Sequence, residues 1–311
     1  MERQVINPIS ALPVASRGHL AMLTFSALVA GSFSLGGMVA NDIAPAALNA
    51  VRFFLAAVIM GGLVMVTGGF SRAAFQAPWR YLVLGGLFGA YFVLMFEGLK
   101  TAPPVSAAAV FTLIPIMTAV IGWFLLKQIT TPRMALALAI GATGALWVIF
   151  RGDLSKLLAF DVGRGEIIYF IGCVLHAIFP PMLRLLNRGE RSLVYTFLFM
   201  AGGFVLLIGY GWGDLMATDW GSLPRLVWIT LGYLAVFSSA FSFFLLQYGA
   251  RVLPSAKVMA YTYLTPTWVI AWEYALGHDV PPLLVSGGIG LTVIALLMLL
   301  KDEEAKVKEG V

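Results

Sequence analysis

The sequence predicts an all-α integral membrane protein, with ten transmembrane helices in two inverted five-helix repeats and both termini cytoplasmic. Three observations predict it: the scarcity of charge, the loops in which that charge falls, and a repeat in register. Of 311 residues, 60% are apolar and 11% charged, and mean hydropathy is +0.92. A soluble domain carries about 25% charged residues, so this chain has less than half the usual means of staying in water. Ten apolar stretches of about 20 residues, one bilayer crossing each, occupy roughly two thirds of it. With Cys173 as the single cysteine, a disulfide scaffold is excluded. The net charge of +5 is scattered over short loops without a basic stripe, which argues against a nucleic-acid partner.

Residues 1–19 read as a polar N-terminal segment. The first apolar stretch, Leu20–Ala40, exceeds the apolar region of about 7–15 residues in a signal peptide and precedes many more, so it reads as a first transmembrane helix. Hydropathy places the spans at 20–40, 46–67, 79–99, 104–126, 133–150, 165–187, 193–211, 225–248, 255–277 and 281–300. The breaks carry turn chemistry: Asn41-Asp42 with Pro45, Ala102-Pro103-Pro104, Thr131-Pro132, Asn187-Arg188-Gly189 and Asp279-Val280-Pro281-Pro282. Residues 301–311 form a polar tail.

Orientation follows from the basic residues. Fourteen of the twenty Lys and Arg fall at the termini and in the loops on their side, five in the other loops, with Arg52 inside a span. Both termini are therefore expected in the cytoplasm, and residues 151–164 form an extracytoplasmic linker. The repeat emerges from register. Pro115 follows Gly98 by seventeen residues, and Pro266 follows Gly249 by the same interval. Pro103 and Pro254 share the offset of 151, and Gly18 before span one matches Gly165 before span six. Residues 20–150 and 165–300 thus read as two copies. Because five is odd, the second copy enters the membrane inverted, the construction of many secondary transporters.

The string Phe96-Glu97-Gly98-Leu99-Lys100, followed by Leu113-Ile114-Pro115 and Leu125-Leu126-Lys127, resembles the third and fourth helices of the EamA-type drug/metabolite transporters. Gln247-Tyr248-Gly249-Ala250-Arg251 through Thr265-Pro266 repeats it. Gly141-Ala142-Thr143-Gly144 and Gly287-Gly288-Ile289-Gly290 are similar to the family's fifth and tenth helices. The resemblance implies a ten-helix basket around a central cavity and transport of small metabolites, often outward. Within the family, the length and aromatic-rich spans are most similar to the YddG-type amino-acid exporters. Lys127-Gln128 and His278-Asp279 stand where the family often closes a helix with an acid.

Ionisable residues inside a membrane are functional hypotheses because they are costly in lipid. Arg52, Glu97 and Glu273 lie at similar expected depth near the outer side. They read either as an Arg–carboxylate gate or as side chains snorkelling to the interface. His176 lies nearer mid-span, ahead of Pro180-Pro181, which remove two backbone donors. It reads as a substrate or proton ligand, or as a packing histidine beside a kink. Thr112 with Pro115 and Tyr263 with Pro266 form a repeat-related pair where prolines expose carbonyls to a cavity. Tyr91, Thr112, His176, Ser239, Ser242, Thr262 and Tyr263 are the candidate substrate contacts. Pro115, Pro180, Pro181 and Pro266 are the candidate hinges. Residues near Arg184, Arg251 and Lys257 are assigned to the inner gate.

Nothing reads as catalysis. Neither a metal-spaced His/Cys/Asp/Glu cluster nor a nucleotide loop is visible in the sequence, so no cofactor, metal or ATPase subunit is expected. The expected function is a secondary carrier in the bacterial inner membrane, exporting small metabolites, foremost amino acids including aromatic ones, by alternating access. Its expected partners are the small-molecule substrate and the bilayer. The competing readings are a passive channel, a multidrug or cation efflux carrier, and a membrane enzyme acting on a lipid-linked substrate.

Overall fold

The computed structural model describes residues 13–159, 162–253, 258, 260–279 and 281–309, and among these it is helical with no strand. The helices are α1 (Val14–Val39), α2 (Pro45–Val66), α3 (Trp79–Leu99), α4 (Pro104–Phe111), α5 (Ile114–Leu126), α6 (Pro132–Ile149), α7 (Leu154–Ala159) and α8 (Arg164–Leu186). They continue with α9 (Ser192–Ala217), α10 (Arg225–Ala235), α11 (Ser242–Val252), α12 (Thr265–Ala275) and α13 (Val285–Glu309). Eight helical stretches are long and apolar enough to cross a bilayer, the last of them Arg225–Leu246, and Val285–Leu300 is a shorter apolar helix. The expected ninth span falls partly outside the described residues, as do the expectations placed on Pro254, Lys257 and Val280. Its described part is a 3₁₀ turn at Tyr261–Leu264 followed by α12.

Local chemistry explains the boundaries. Pro45, Pro104 and Pro132 begin helices at positions whose N–H has no intrahelical partner. The Thr131 side chain caps α6 by accepting the Met134 N–H at 3.2 Å. Lys127 ends α5 in the left-handed region, φ 55°. Three elements depart from simple spans. The fourth is broken at Thr112-Leu113, because Pro115 offers no N–H to the Phe111 carbonyl one turn earlier. The eighth holds a wide π turn at Val236–Phe241 between α10 and α11. α9 kinks at Gly211 and runs on to Ala217 rather than stopping there. The linker after α6 holds the short helix α7, begun by Asp153 accepting the Ser155 N–H at 2.9 Å.

Helices pair across the chain: α2 lies along α9, α6 along α13, α3 against α8 and α9, and α1 against α11 and α12. The main buried core gathers Phe33, Phe53, Leu84, Phe88, Phe111 and Phe199. Large apolar side chains also point outward, among them Phe54, Met65, Phe124, Tyr210 and Leu297. Helices apolar all round suit a lipid surround.

Glycines set the closest approaches, as small residues do between membrane helices. A Cβ on Gly98 would sit 2.7 Å from the Gly165 carbonyl oxygen, so the end of α3 meets the start of α8 backbone to backbone. At the matching junction of α11 with α1, a Cβ on Gly249 would meet only the Met22 side chain. Gly144 on α6 and Gly288 on α13 face each other, and a Cβ on either would sit 2.6 Å from the other's carbonyl oxygen. Gly288→Ala is therefore expected to destabilise the protein by roughly 1–3 kcal/mol, the usual cost of overpacking. Gly290→Ala, with nothing within 4 Å of its new methyl, should be neutral or stabilise by about 0.5–1 kcal/mol. Thermal melts of the purified variants check both, and equal melting temperatures would contradict the packing assignment.

Candidate substrate site

α8 carries Tyr169, Cys173, His176 and Phe179 at spacings of four, three and three, which place them on one face. α3 presents Phe88 and Tyr91 toward them, with Phe92 packed against both. The Tyr91 and Tyr169 hydroxyls are 3.0 Å apart. The His176 ring stands edge-on to Tyr91 with centroids 4.5 Å apart, and Phe88 stacks on Phe179 at 4.8 Å. Phe111 from α4 reaches His176 at 5.8 Å, Phe33 from α1 reaches Phe111 at 5.7 Å, and Phe243 from α11 reaches Phe88 at 5.5 Å. Four rings, Phe88, Tyr91, Phe111 and Phe179, thus contact the His176 imidazole, with Phe33 and Phe243 packed behind them. His176 is half-buried, and its Nδ1 is sealed from solvent without a hydrogen-bond partner.

The prolines behind this face leave carbonyls to satisfy. Pro181 has no N–H for the Ala177 carbonyl, and Thr118 of α5 donates its hydroxyl there instead at 3.3 Å. Pro180 likewise strips the helical donor from the His176 carbonyl. α8 nevertheless continues through both prolines to Leu186.

A second polar centre adjoins the aromatic one. Arg52, the eighth residue of α2, lies about 10 Å along the helix from its start and is fully buried. Its Nε donates to Ser239 Oγ at 3.0 Å and its Nη2 to Ser238 Oγ at 3.4 Å, both on the π turn. Ser238 is bonded to Ser32 of α1 at 2.5 Å. The guanidinium carbon sits 3.7 Å above the Phe92 ring, whose centroid is 4.7 Å from that of Tyr91. Arg52 Nη1 has no partner, nor has Asn49 Oδ1 one turn earlier.

The expected grouping of the candidates is only partly realised. Tyr91 and His176 meet, and Ser239 joins them through Arg52 and Phe92. Ser242 spends its hydroxyl on the Ser238 carbonyl at 2.8 Å, which braces the π turn. Thr112 donates to the Ala109 carbonyl at 2.7 Å, at the break before Pro115. Tyr263 lies in a separate cluster with Ala137, Leu138, Ala260 and Ala295, where its ring fills the space over Gly141. Thr262 is buried beside it on the 3₁₀ turn before Pro266. The Arg–carboxylate gate does not form. Glu97 pairs with Lys100 at 2.6 Å and Glu273 with His278 at 2.9 Å, so hydroxyls and an aromatic face surround Arg52 instead. Both acids sit in the last turns of their helices, where a nearby basic side chain is within reach.

Several polar anchors lack a sequence signal. Tyr233 donates to the Leu28 carbonyl at 2.8 Å, Trp272 to the Ala27 carbonyl at 3.3 Å and Trp268 to Ser26 at 3.0 Å, together fixing α1. Glu166 accepts from Ser106 at 2.8 Å. At the start of α3, Arg80 donates to Glu190 Oε1 at 2.7 Å, the Leu186 carbonyl at 2.5 Å and the Gln76 carbonyl at 3.0 Å. This latch ties the α2–α3 link to the α8–α9 link, with side chains 1% and 5% exposed. Arg80 reads in the sequence as one more loop cation. Its burial depends on a carboxylate 110 residues away.

Among the described residues, no three His, Cys, Asp or Glu gather as a metal site requires. Apolar helices sufficient for many crossings, closed around an aromatic and polar interior, define a multi-pass membrane transporter. The chain belongs to the EamA-like transporter family, whose pattern matches residues 16–150 and again residues 163–301. It is 26% identical over 282 residues to a Bacillus subtilis protein named uncharacterized transporter YyaM, covering 90% of this chain and 92% of that one. Over 135 residues, 42% of this chain and 43% of the other, it is 30% identical to the aromatic amino acid exporter YddG of Ancylobacter novellus. A solved crystal structure superposes with a TM-score of 0.68 at 18% identity, covering 91% of this chain and 96% of that one.

The latch makes a pH prediction. Burial pushes the Glu190 carboxyl up, but the Arg80 guanidinium and the Arg188 amide outweigh it and hold the carboxyl below its ordinary value. A folded carboxyl that is the stronger acid stabilises fully above the unfolded value of 4.5, and that stabilisation fades as pH falls through the lower folded value. Glu190→Gln is expected to lower stability at pH 7 by about 3 kcal/mol, as removing one partner of a buried pair does. The gap to wild type should narrow below about pH 4. Melting curves from pH 7 down to pH 3 read it, and a constant gap would contradict the assignment.

Proposed function

We propose that this transporter is a secondary carrier of the bacterial inner membrane that exports small metabolites, foremost amino acids including aromatic ones, by alternating access. The observation that carries this reading is the ring of Phe88, Tyr91, Phe111 and Phe179 around His176, where helices of both halves meet. A mostly apolar cluster with a few placed polar groups is the kind of lining that suits a small organic ligand. His176 and Tyr91 are the substrate contacts at its centre, with Ser239 toward Arg52. Thr112, Ser242, Thr262 and Tyr263 flank the breaks and the π turn. The partial match to a protein named as an aromatic amino acid exporter supports the substrate class.

Ten crossings, in repeats spanning 20–150 and 165–300, make up the carrier, with residues 1–19 and 301–311 in the cytoplasm and 151–164 outside. The twofold family match supports the duplication. Pairing supports it too: α3 on α8 is mirrored by α11 on α1, and α5 on α8 by α12 on α1, while α2·α9 and α6·α13 pair with their own mates. The helix breaks before Pro115 and Pro266 share the offset of 151. Rocking of one half against the other uses these two breaks and the Pro180-Pro181 segment as hinges. His176 is the main candidate for coupling a proton to the cycle.

Purified protein in liposomes is expected to move labelled phenylalanine with saturation and counterflow. Saturation without counterflow, or neither, indicates a pore, and flux no faster than empty liposomes across a broad amino-acid panel rejects the substrate class. His176→Gln should weaken phenylalanine binding about 3–10-fold, the worth of about 1 kcal/mol of ring contact, at an unchanged melting temperature. A cysteine introduced into residues 301–311 of a Cys173→Ser background should react with an impermeant thiol reagent only after cells are opened; labelling in intact cells would reverse the topology.

A further inference from the structure

One group is left over by this reading. Arg52 is a permanent cation with no accessible surface, and among the described residues no carboxylate lies within ion-pair distance of it. Burying a guanidinium in a membrane protein costs several kcal/mol unless charge and hydrogen bonds offset it. The groups around it are neutral: Ser238 and Ser239 from the π turn, with Ser32 behind them, and the Phe92 ring on one face. Hydroxyls satisfy donors but cannot cancel a charge. A bracing role between α2 and α10–α11 needs only a neutral amide, which the chain already places one turn away at Asn49.

The guanidinium is a planar fork with donors on two edges. One edge, Nε and Nη2, is occupied by the two serines, and Nη1 on the other has no partner. An oxyanion is the group that matches a vacant guanidinium edge. Phe92 and Tyr91 then lead from that edge to the aromatic ring around His176. The π turn adds a reason for the site to be adjustable. Such a turn carries one extra residue and recurs at functional sites in helices, and here it bears the two serines that hold Arg52.

We propose that Arg52 is the docking group for a carboxylate on the substrate, so that this carrier selects organic acids and amino acids by their anionic end and receives their apolar part against Phe92, Tyr91 and His176. The proposal rests on the carrier reading above and narrows it to carboxylates. In this structure Phe92 and the π turn cover the guanidinium. The substrate carboxylate takes the Nη1 edge when they part.

The test uses full-length protein in liposomes with labelled L-phenylalanine, and three unlabelled competitors: 3-phenylpropionate, which keeps the carboxylate alone, and phenethylamine and phenylalaninamide, which lack it. Expected are competition by 3-phenylpropionate, at least tenfold weaker competition by both carboxylate-free compounds, a flux reduced at least tenfold in Arg52→Gln, and partial recovery in Arg52→Lys. Equal flux in Arg52→Gln and wild type, or phenethylamine competing as well as phenylalanine, overturns the proposal. If Arg52→Gln does not fold, Ser239→Ala and the competitor series on wild type decide it, because the ligand series needs no variant. If wild type carries no phenylalanine, the amino-acid reading fails by itself. Thermal shifts of wild type with benzoate, 3-phenylpropionate and lactate against phenethylamine then read the carboxylate preference, and no shift with any of the acids overturns this proposal too.

Discussion

Lipid supplies no hydrogen bonds, so every polar group this chain takes into the membrane must find its partner inside the protein. Most of the architecture follows from that obligation. Regular helix satisfies the backbone, and several departures from regular helix are accompanied by a substitute. The Ala177 carbonyl, orphaned by Pro181, takes the Thr118 hydroxyl. The wide turn at Val236–Phe241 is braced by the Ser242 hydroxyl. The carbonyls of Ala27 and Leu28 on α1 receive a tryptophan and a tyrosine from neighbouring helices. Among the buried groups left without a partner are Arg52 Nη1 and His176 Nδ1, which lie at the ends of one aromatic path through Phe92 and Tyr91.

The helices were largely legible in the sequence because hydropathy and proline are local signals. α3, Trp79–Leu99, coincides with its expected span, and the beginnings at Pro104 and Pro132 follow from the missing proline N–H. The glycines aligned by register turn out to be meeting points: Gly98 against Gly165, and Gly249 and Gly18 at the α11–α1 junction. Boundaries were less legible where hydropathy and hydrogen bonding diverge. α9 outlasts its apolar run by six residues, since an intrahelical ladder does not depend on side-chain polarity. The π turn has no sequence signature beyond its serines.

The site was legible in its types and not in its pairings. Tyr91, His176 and Ser239 stand out as polar or aromatic groups at mid-span, and they do gather. Which partner each takes depends on rotation about the helix axis and on distant helices, and one sequence does not report either. Arg52, Glu97 and Glu273 shared an expected depth, yet each takes a different partner. Arg80 and Glu190 illustrate the converse, since a saturated buried pair arises from two residues that look like ordinary loop charges.

The two glycine junctions differ in what stands opposite them. At Gly98 the opposing atoms are the Gly165 carbonyl oxygen and the Tyr169 N and Cβ, held in place by the hydrogen-bonded helix α8. At Gly249 it is the thioether of Met22, a side chain with three free rotors. A methyl added at Gly249 can therefore be taken up by rotation of one side chain, whereas the same methyl at Gly98 has to push two helices apart.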